Sequence, residues 1–129
     1  VFKQMSTCQN CNHLLVGSEN ELVCLIEKSK PEDLHVVRFF SEHCVPCLAT
    51  DSDFARLVGE FPSVKFYTVD VVDAVFATHM SRPRYTPTAV IIRKHFGQLK
   101  TVYGGNFVDL LKKCLQELLK LQKNNKATF

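Results

Sequence analysis

The chain has 129 residues, 46% hydrophobic and 22% charged, which is enough for one buried core and too few for two ordinary domains. A net charge of +3, with a modest lysine cluster at Lys112, Lys113, Lys120, Lys123 and Lys126, reads as a solvated helix face and not as a nucleic-acid patch. No apolar run approaches the roughly 20 residues needed to span a bilayer, so no membrane helix is expected; the chain is expected to be a monomer with no membrane and no nucleic-acid partner.

Residues 1–11 are polar, lack a clear period and lack the apolar core of a signal peptide, so they read as an extension. The run Leu14-Leu15-Val16 marks a first strand over 12–16. Ser18 with Glu21 three residues on is a capping box, and Leu22, Leu25 and Ile26 follow at helical spacing, which predicts a helix over about 19–28. The stretch His35–Phe40 is β-branched and aromatic, the mark of a buried strand. Directly after it stand Cys44-Val45-Pro46-Cys47. Phe54, Leu57, Val58 and Phe61 recur at i, i+3, i+4 and i+7, so one helix with one buried stripe is expected up to Gly59.

Val64–Asp70 reads as a third strand and 72–80 as a short helix. The stretch 81–87 is a proline-rich loop. Thr88–Arg93 and Leu99–Tyr103 form a hairpin about 94–98, with Gly97 as its turn residue. Gly104-Gly105 breaks the chain. Phe107, Leu110, Leu111, Cys114, Leu115, Leu118 and Leu119 then mark an amphipathic last helix. The domain spans 12–123, and 124–129 reads as a polar, fraying tail. Strands alternating with helices predict an α/β fold, a central mixed β-sheet flanked by helices on both faces.

Two pairs of cysteines stand at CxxC spacing, Cys8/Cys11 and Cys44/Cys47. A cysteine that opens a helix after a buried strand meets unpaired N–H groups and the positive end of the helix dipole. Both favour the thiolate, the attacking species in disulfide exchange. The second cysteine, about one turn on, is close enough to resolve a mixed disulfide. Pro46 between them is tolerated in the first turn and stiffens it.

From about residue 12 to 120 the chain resembles the thioredoxin family. The residues that carry the likeness are Cys44-Val45-Pro46-Cys47 after the strand, Tyr85-Thr86-Pro87-Thr88 before the next one, Gly97, and Gly104-Gly105. The resemblance implies a thioredoxin fold and protein-disulfide oxidoreductase activity, with Cys44 as nucleophile and Cys47 as resolving thiol. It also implies that Thr86 offers backbone hydrogen bonds to a bound peptide and that Pro87 is cis and packs beside the pair. No cofactor beyond the Cys44–Cys47 disulfide and no metal is implied. Partners would be protein disulfide substrates and an upstream reductase or oxidant.

The chain departs from that family at specific positions. His43 stands where a tryptophan usually precedes the first cysteine, and Leu48 where a basic residue often follows the second. Ser52 replaces a helix-kinking proline. Arg38 replaces the buried acid six residues before Cys44, and an arginine cannot serve as a base. A cation there favours thiolate and makes the disulfide more oxidising, so Arg38, His43 and Pro46 are candidate tuning residues. The couple is expected above the roughly −270 mV of a reducing thioredoxin.

Cys8 and Cys11, followed by His13, leave three readings open: a second redox pair, half of a zinc site, or an inert tail. Zinc needs four ligands, and the extra candidates, His13 and Cys24, fall in ordinary core elements. Cys24 and Cys114 read as core residues and His35, His79 and His95 as structural. Two alternatives to the enzyme stand: a redox-silent, phosducin-like adaptor and a redox sensor using Cys8/Cys11. Composition names no redox compartment.

Overall fold

A computed structural model describes residues 12–71 and 87–128, with side chains as far as residue 122. The chain order is β1 (His13–Val16), α1 (Glu19–Glu27), β2 (Leu34–Phe40), α2 (Val45–Ala49), α3 (Asp51–Glu60), β3 (Lys65–Asp70), β4 (Thr88–Arg93), β5 (Gly97–Tyr103) and α4 (Phe107–Thr128). The helix expected over 72–80, the loop over 81–86, Thr86 itself and the Cys8/Cys11 extension lie outside the described residues.

The strands form one mixed sheet in the order β1-β3-β2-β4-β5. β3 runs parallel to both β1 and β2, while β4 is antiparallel to β2 and to β5. Successive side chains of a strand point to opposite faces, and here each face is covered. On one face Val36, Phe66 and Ile91 pack against Phe54, Leu57 and Val58 of α3 and Phe107, Leu111 and Leu115 of α4. On the other, Val37, Phe39, Tyr67, Val69 and Val90 meet Leu22 of α1, with Leu25 and Ile26 at the margin. β2 and β3 are therefore buried on both sides, which is why they read as near-continuous apolar runs.

Local chemistry sets the element ends. Ser18 caps α1 by accepting the Glu21 N–H, and the Glu21 carboxylate reaches back to the Gly17 N–H. Gly97 takes φ +74° at the hairpin turn, a conformation that suits a residue without Cβ. β5 begins there, two residues before the expected Leu99.

Two expectations need correction. The single helix through Gly59 is two, α2 and α3, joined at Thr50 with φ −99° and ψ 0°. Its cause is local: the buried Thr50 hydroxyl donates to the carbonyls of Pro46 and Cys47, and such back-bonding bends helices. Cys24 is exposed and not part of the core. It lies two residues from the buried Leu22, some 200° round the helix, and so faces water. Cys114 packs half-buried against the α4 side of the core.

Candidate functional site

The site forms where β2 ends and α2 begins. Phe40 closes the strand, and the Cys44 N–H donates to the Ser41 carbonyl in a tight turn (3.1 Å). Cys44 is the N-cap of α2, with extended dihedrals, and its sulfur accepts the Cys47 N–H at 3.2 Å. An N-cap sulfur placed among first-turn N–H donors is favoured as an anion. Cys44 and Cys47 are joined as a disulfide, with Cα atoms 5.2 Å apart. Cys47 is 1% exposed, while Cys44 is only half-buried, so Cys44 is the more accessible of the two.

Around the pair, Pro46 occupies the first turn and is exposed, as is His43, whose N–H donates to Ser41 Oγ. Val45 and Leu48 are exposed apolar side chains, 74% and 55% accessible, on the same short helix. Pro87 is buried, and its carbonyl accepts the Gly104 N–H. The pairing of Thr88 with Phe39 puts Pro87 at the end of the sheet from which Cys44 departs. The Thr86–Pro87 peptide bond involves a residue outside the described ones.

Arg38 is 1% exposed, an unusual burial for a guanidinium. It lies between aromatic rings, its Cζ 4.3 Å from the Phe54 centroid and 5.0 Å from that of Phe40. Nε donates to Thr68 Oγ1 at 3.2 Å and Nη1 to Asp51 Oδ1 at 2.8 Å, while Nη2 is buried with no hydrogen-bond partner among the described residues. Burial pushes the Arg38 pKa down from its ordinary value; the Asp51 hydrogen bond and charge oppose that.

The same Thr68 hydroxyl meets His13 Nε2 at 2.7 Å. His13 is pushed down to about 4, first by burial and then by the Arg38 charge, with Asp51 opposing. It is therefore a neutral partner within a network of buried His13, Thr68 and Arg38 that ends on the half-exposed Asp51. The sequence reading missed Thr50, Asp51 and Thr68. The one signal for Asp51 was that a buried arginine requires an anion, and an acid stands four residues after Cys47.

Elsewhere, His35 is a structural residue. It bridges Ser29 Oγ (3.0 Å) and Tyr67 OH (2.9 Å) from a fully buried position. His95 is exposed in the β4–β5 turn, and His79 lies outside the described residues. Among the described residues no group of three or more His, Cys, Asp or Glu side chains is arranged to hold a metal ion. No described helix is long and apolar enough to cross a membrane.

Comparison with known proteins agrees with this geometry. The family model described as thioredoxin matches residues 18–117. The chain is 33% identical over 78 residues to a putative thioredoxin H10 of Arabidopsis thaliana, a match covering 60% of this chain and 50% of that protein. It thus spans about half the length of this curated relative. The crystal structure of a Trypanosoma brucei brucei thioredoxin superimposes with a TM-score of 0.73 at 26% identity, covering 83% of this chain and 90% of that one. A Fasciola hepatica thioredoxin structure gives 0.70 at 27% identity, covering 79% and 96%. Family model, mixed five-stranded sheet and paired cysteines agree: this chain belongs to the thioredoxin family.

Proposed function

We propose that the chain is a thiol–disulfide oxidoreductase acting on protein disulfides through Cys44 and Cys47. The observation that carries the reading is the half-buried Cys44 capping α2, disulfide-bonded to a buried Cys47. In the dithiol form the Cys44 thiolate attacks a substrate disulfide, forms a mixed disulfide and releases one substrate thiolate, which takes up a proton. Cys47, as thiolate, then attacks the Cys44 sulfur, re-forms the internal disulfide and releases the second substrate thiol. Two electrons pass to the substrate, and an upstream dithiol reductase returns them; with an oxidant upstream the same steps run in reverse. Thr86 and Pro87 align the substrate peptide, as the family resemblance implies. No cofactor beyond the cysteine pair takes part.

The cation at Arg38 favours the dithiol form, so the couple is expected above the roughly −270 mV of a reducing thioredoxin. His43 and Pro46 are the remaining tuning candidates. The test is reduction of insulin by dithiothreitol, with wild type beside Cys44→Ser. Turnover that depends on Cys44 supports the enzyme. Equal rates for both proteins remove it and leave an adaptor that presents the sheet edge or the proline loop to a partner. Repeating the assay after removal of residues 1–11 tests whether Cys8 and Cys11 act as a sensor.

A further inference from the structure

We propose that Asp51 is a positioning residue for the Cys44/Cys47 couple, setting how much of the buried Arg38 charge the two sulfurs feel. The proposal deepens the oxidoreductase reading and rests on it. Asp51 opens α3 and so belongs to the same covalent segment as the disulfide, four residues beyond Cys47. Thr50 pins that segment by donating to the Pro46 and Cys47 carbonyls at 2.8 and 3.2 Å. The Asp51 carboxylate then turns back to Arg38 Nη1 at 2.8 Å.

An ion pair at that separation acts at a distance as a dipole, whose influence falls off faster than that of a bare cation. Phe40 and Phe54 wall the guanidinium and exclude water, so the compensating charge must come from protein. Among the described residues, the other groups hydrogen-bonded into this cluster do not supply one. Thr68 of β3 is uncharged, and His13 of β1 is held neutral. Asp70 of β3 is in register with Phe40, and the charge that opposes burial at Arg38 is that of Asp51. Among the described residues Nη2 is buried without a partner, so Asp51 is the one carboxylate they place on the guanidinium. Asp51 itself is 43% exposed, so its removal opens no cavity.

Removing the carboxylate bares the cation, and removing the cation leaves a half-exposed carboxylate. The two changes therefore move the couple in opposite directions. The experiment equilibrates each protein with glutathione buffers and follows the pH dependence of the Cys44 thiolate absorbance. Asp51→Asn is expected to shift the thiol–disulfide equilibrium about tenfold toward the dithiol, which corresponds to about 30 mV, and to lower the thiolate midpoint. Arg38→Met is expected to shift both the other way. Asp51→Glu restores the wild-type values, and Asp51→Asn placed on Arg38→Met changes both by much less, because the half-exposed carboxylate released from Arg38 turns to water and is screened.

The proposal is overturned if Asp51→Asn leaves the equilibrium unmoved, or moves it equally with and without Arg38. Circular dichroism confirms the fold of each variant; if Asp51→Asn is unfolded, Asp51→Glu against Asp51→Ser gives the same comparison. Both readouts need no substrate, so absent insulin turnover with an intact Asp51 shift removes the enzyme and keeps the coupling.

Discussion

His13 and His35 are imidazoles that folding takes out of water. Burial pushes both down to about 4; Arg38 adds to the effect at His13 and Lys65 to that at His35, while Asp51 and Asp33 oppose without prevailing. In the unfolded chain the same groups titrate near 6.5. Above that pH both states are neutral and stability does not depend on them. Between about 6.5 and 4 the unfolded chain takes up protons that the folded one refuses, so stability falls as pH falls. At 1.36 kcal/mol per unit, each histidine accounts for about 3 kcal/mol over that window. Urea midpoints measured at pH 7 and pH 4.5 should show the loss. His13→Gln keeps a hydrogen-bonding partner for Thr68 Oγ1 and removes one titration, so roughly half of the pH dependence should disappear. An unchanged pH dependence would mean that His13 is already open to protons in the native state.

At the scale of elements, the readable features were those written in neighbouring residues. Alternating or continuous apolar runs marked β1 to β4, since a strand's burial depends on its own composition, and the Ser18–Glu21 spacing marked the start of α1. The break at Thr50 was not readable. Thr50-Asp51-Ser52 continues a helical pattern as well as it ends one, and a hydroxyl's choice of carbonyl is a matter of geometry. Arg38 showed its charge in the sequence but not its partner, which lies 13 residues away and meets it only once β2 and α3 are packed. Asn12 makes the contrast measurable. It looks like an ordinary first residue of a strand, yet its Nδ2 lies 3.1, 3.2 and 3.3 Å from the carbonyls of Val58, Phe61 and Val64 and so ties the end of α3 to β1. Ser18→Ala, at the visible cap, should cost about 1 kcal/mol. Asn12→Ala removes the amide donor shared by the three carbonyls, of which those of Val58 and Phe61 keep a backbone N–H, and should cost about 2 kcal/mol. Chemical denaturation of the two variants ranks them, and the reverse order would show that water replaces the Asn12 amide at no cost.

For the whole molecule, redox state and folding are joined by one thermodynamic cycle. The folded chain has a reduction potential set by its site, and the unfolded chain one set by a flexible Cys-x-x-Cys loop. The difference between the two potentials equals the difference in stability between the reduced and oxidised forms, at about 1.4 kcal/mol for every 30 mV. Anything in the fold that favours the dithiol must therefore stabilise the reduced protein relative to the oxidised one. On the proposed reading Arg38 is such a feature, because a buried cation felt by the pair favours a thiolate and gains nothing from a disulfide. The expected result is that Arg38→Met, which removes the charge and keeps an apolar chain in the site, costs the reduced form more than the oxidised one. Oxidised and reduced proteins of wild type and variant, unfolded in guanidinium at pH 7, give four stabilities and hence one difference of differences. Its sign should be the one that the glutathione equilibrium of the same variant gives, and its size should match at about 1.4 kcal/mol for every tenfold change in that equilibrium. Equal losses in the two redox states would mean that Arg38 is a packing residue alone, with its charge fully absorbed by Asp51 and its aromatic walls.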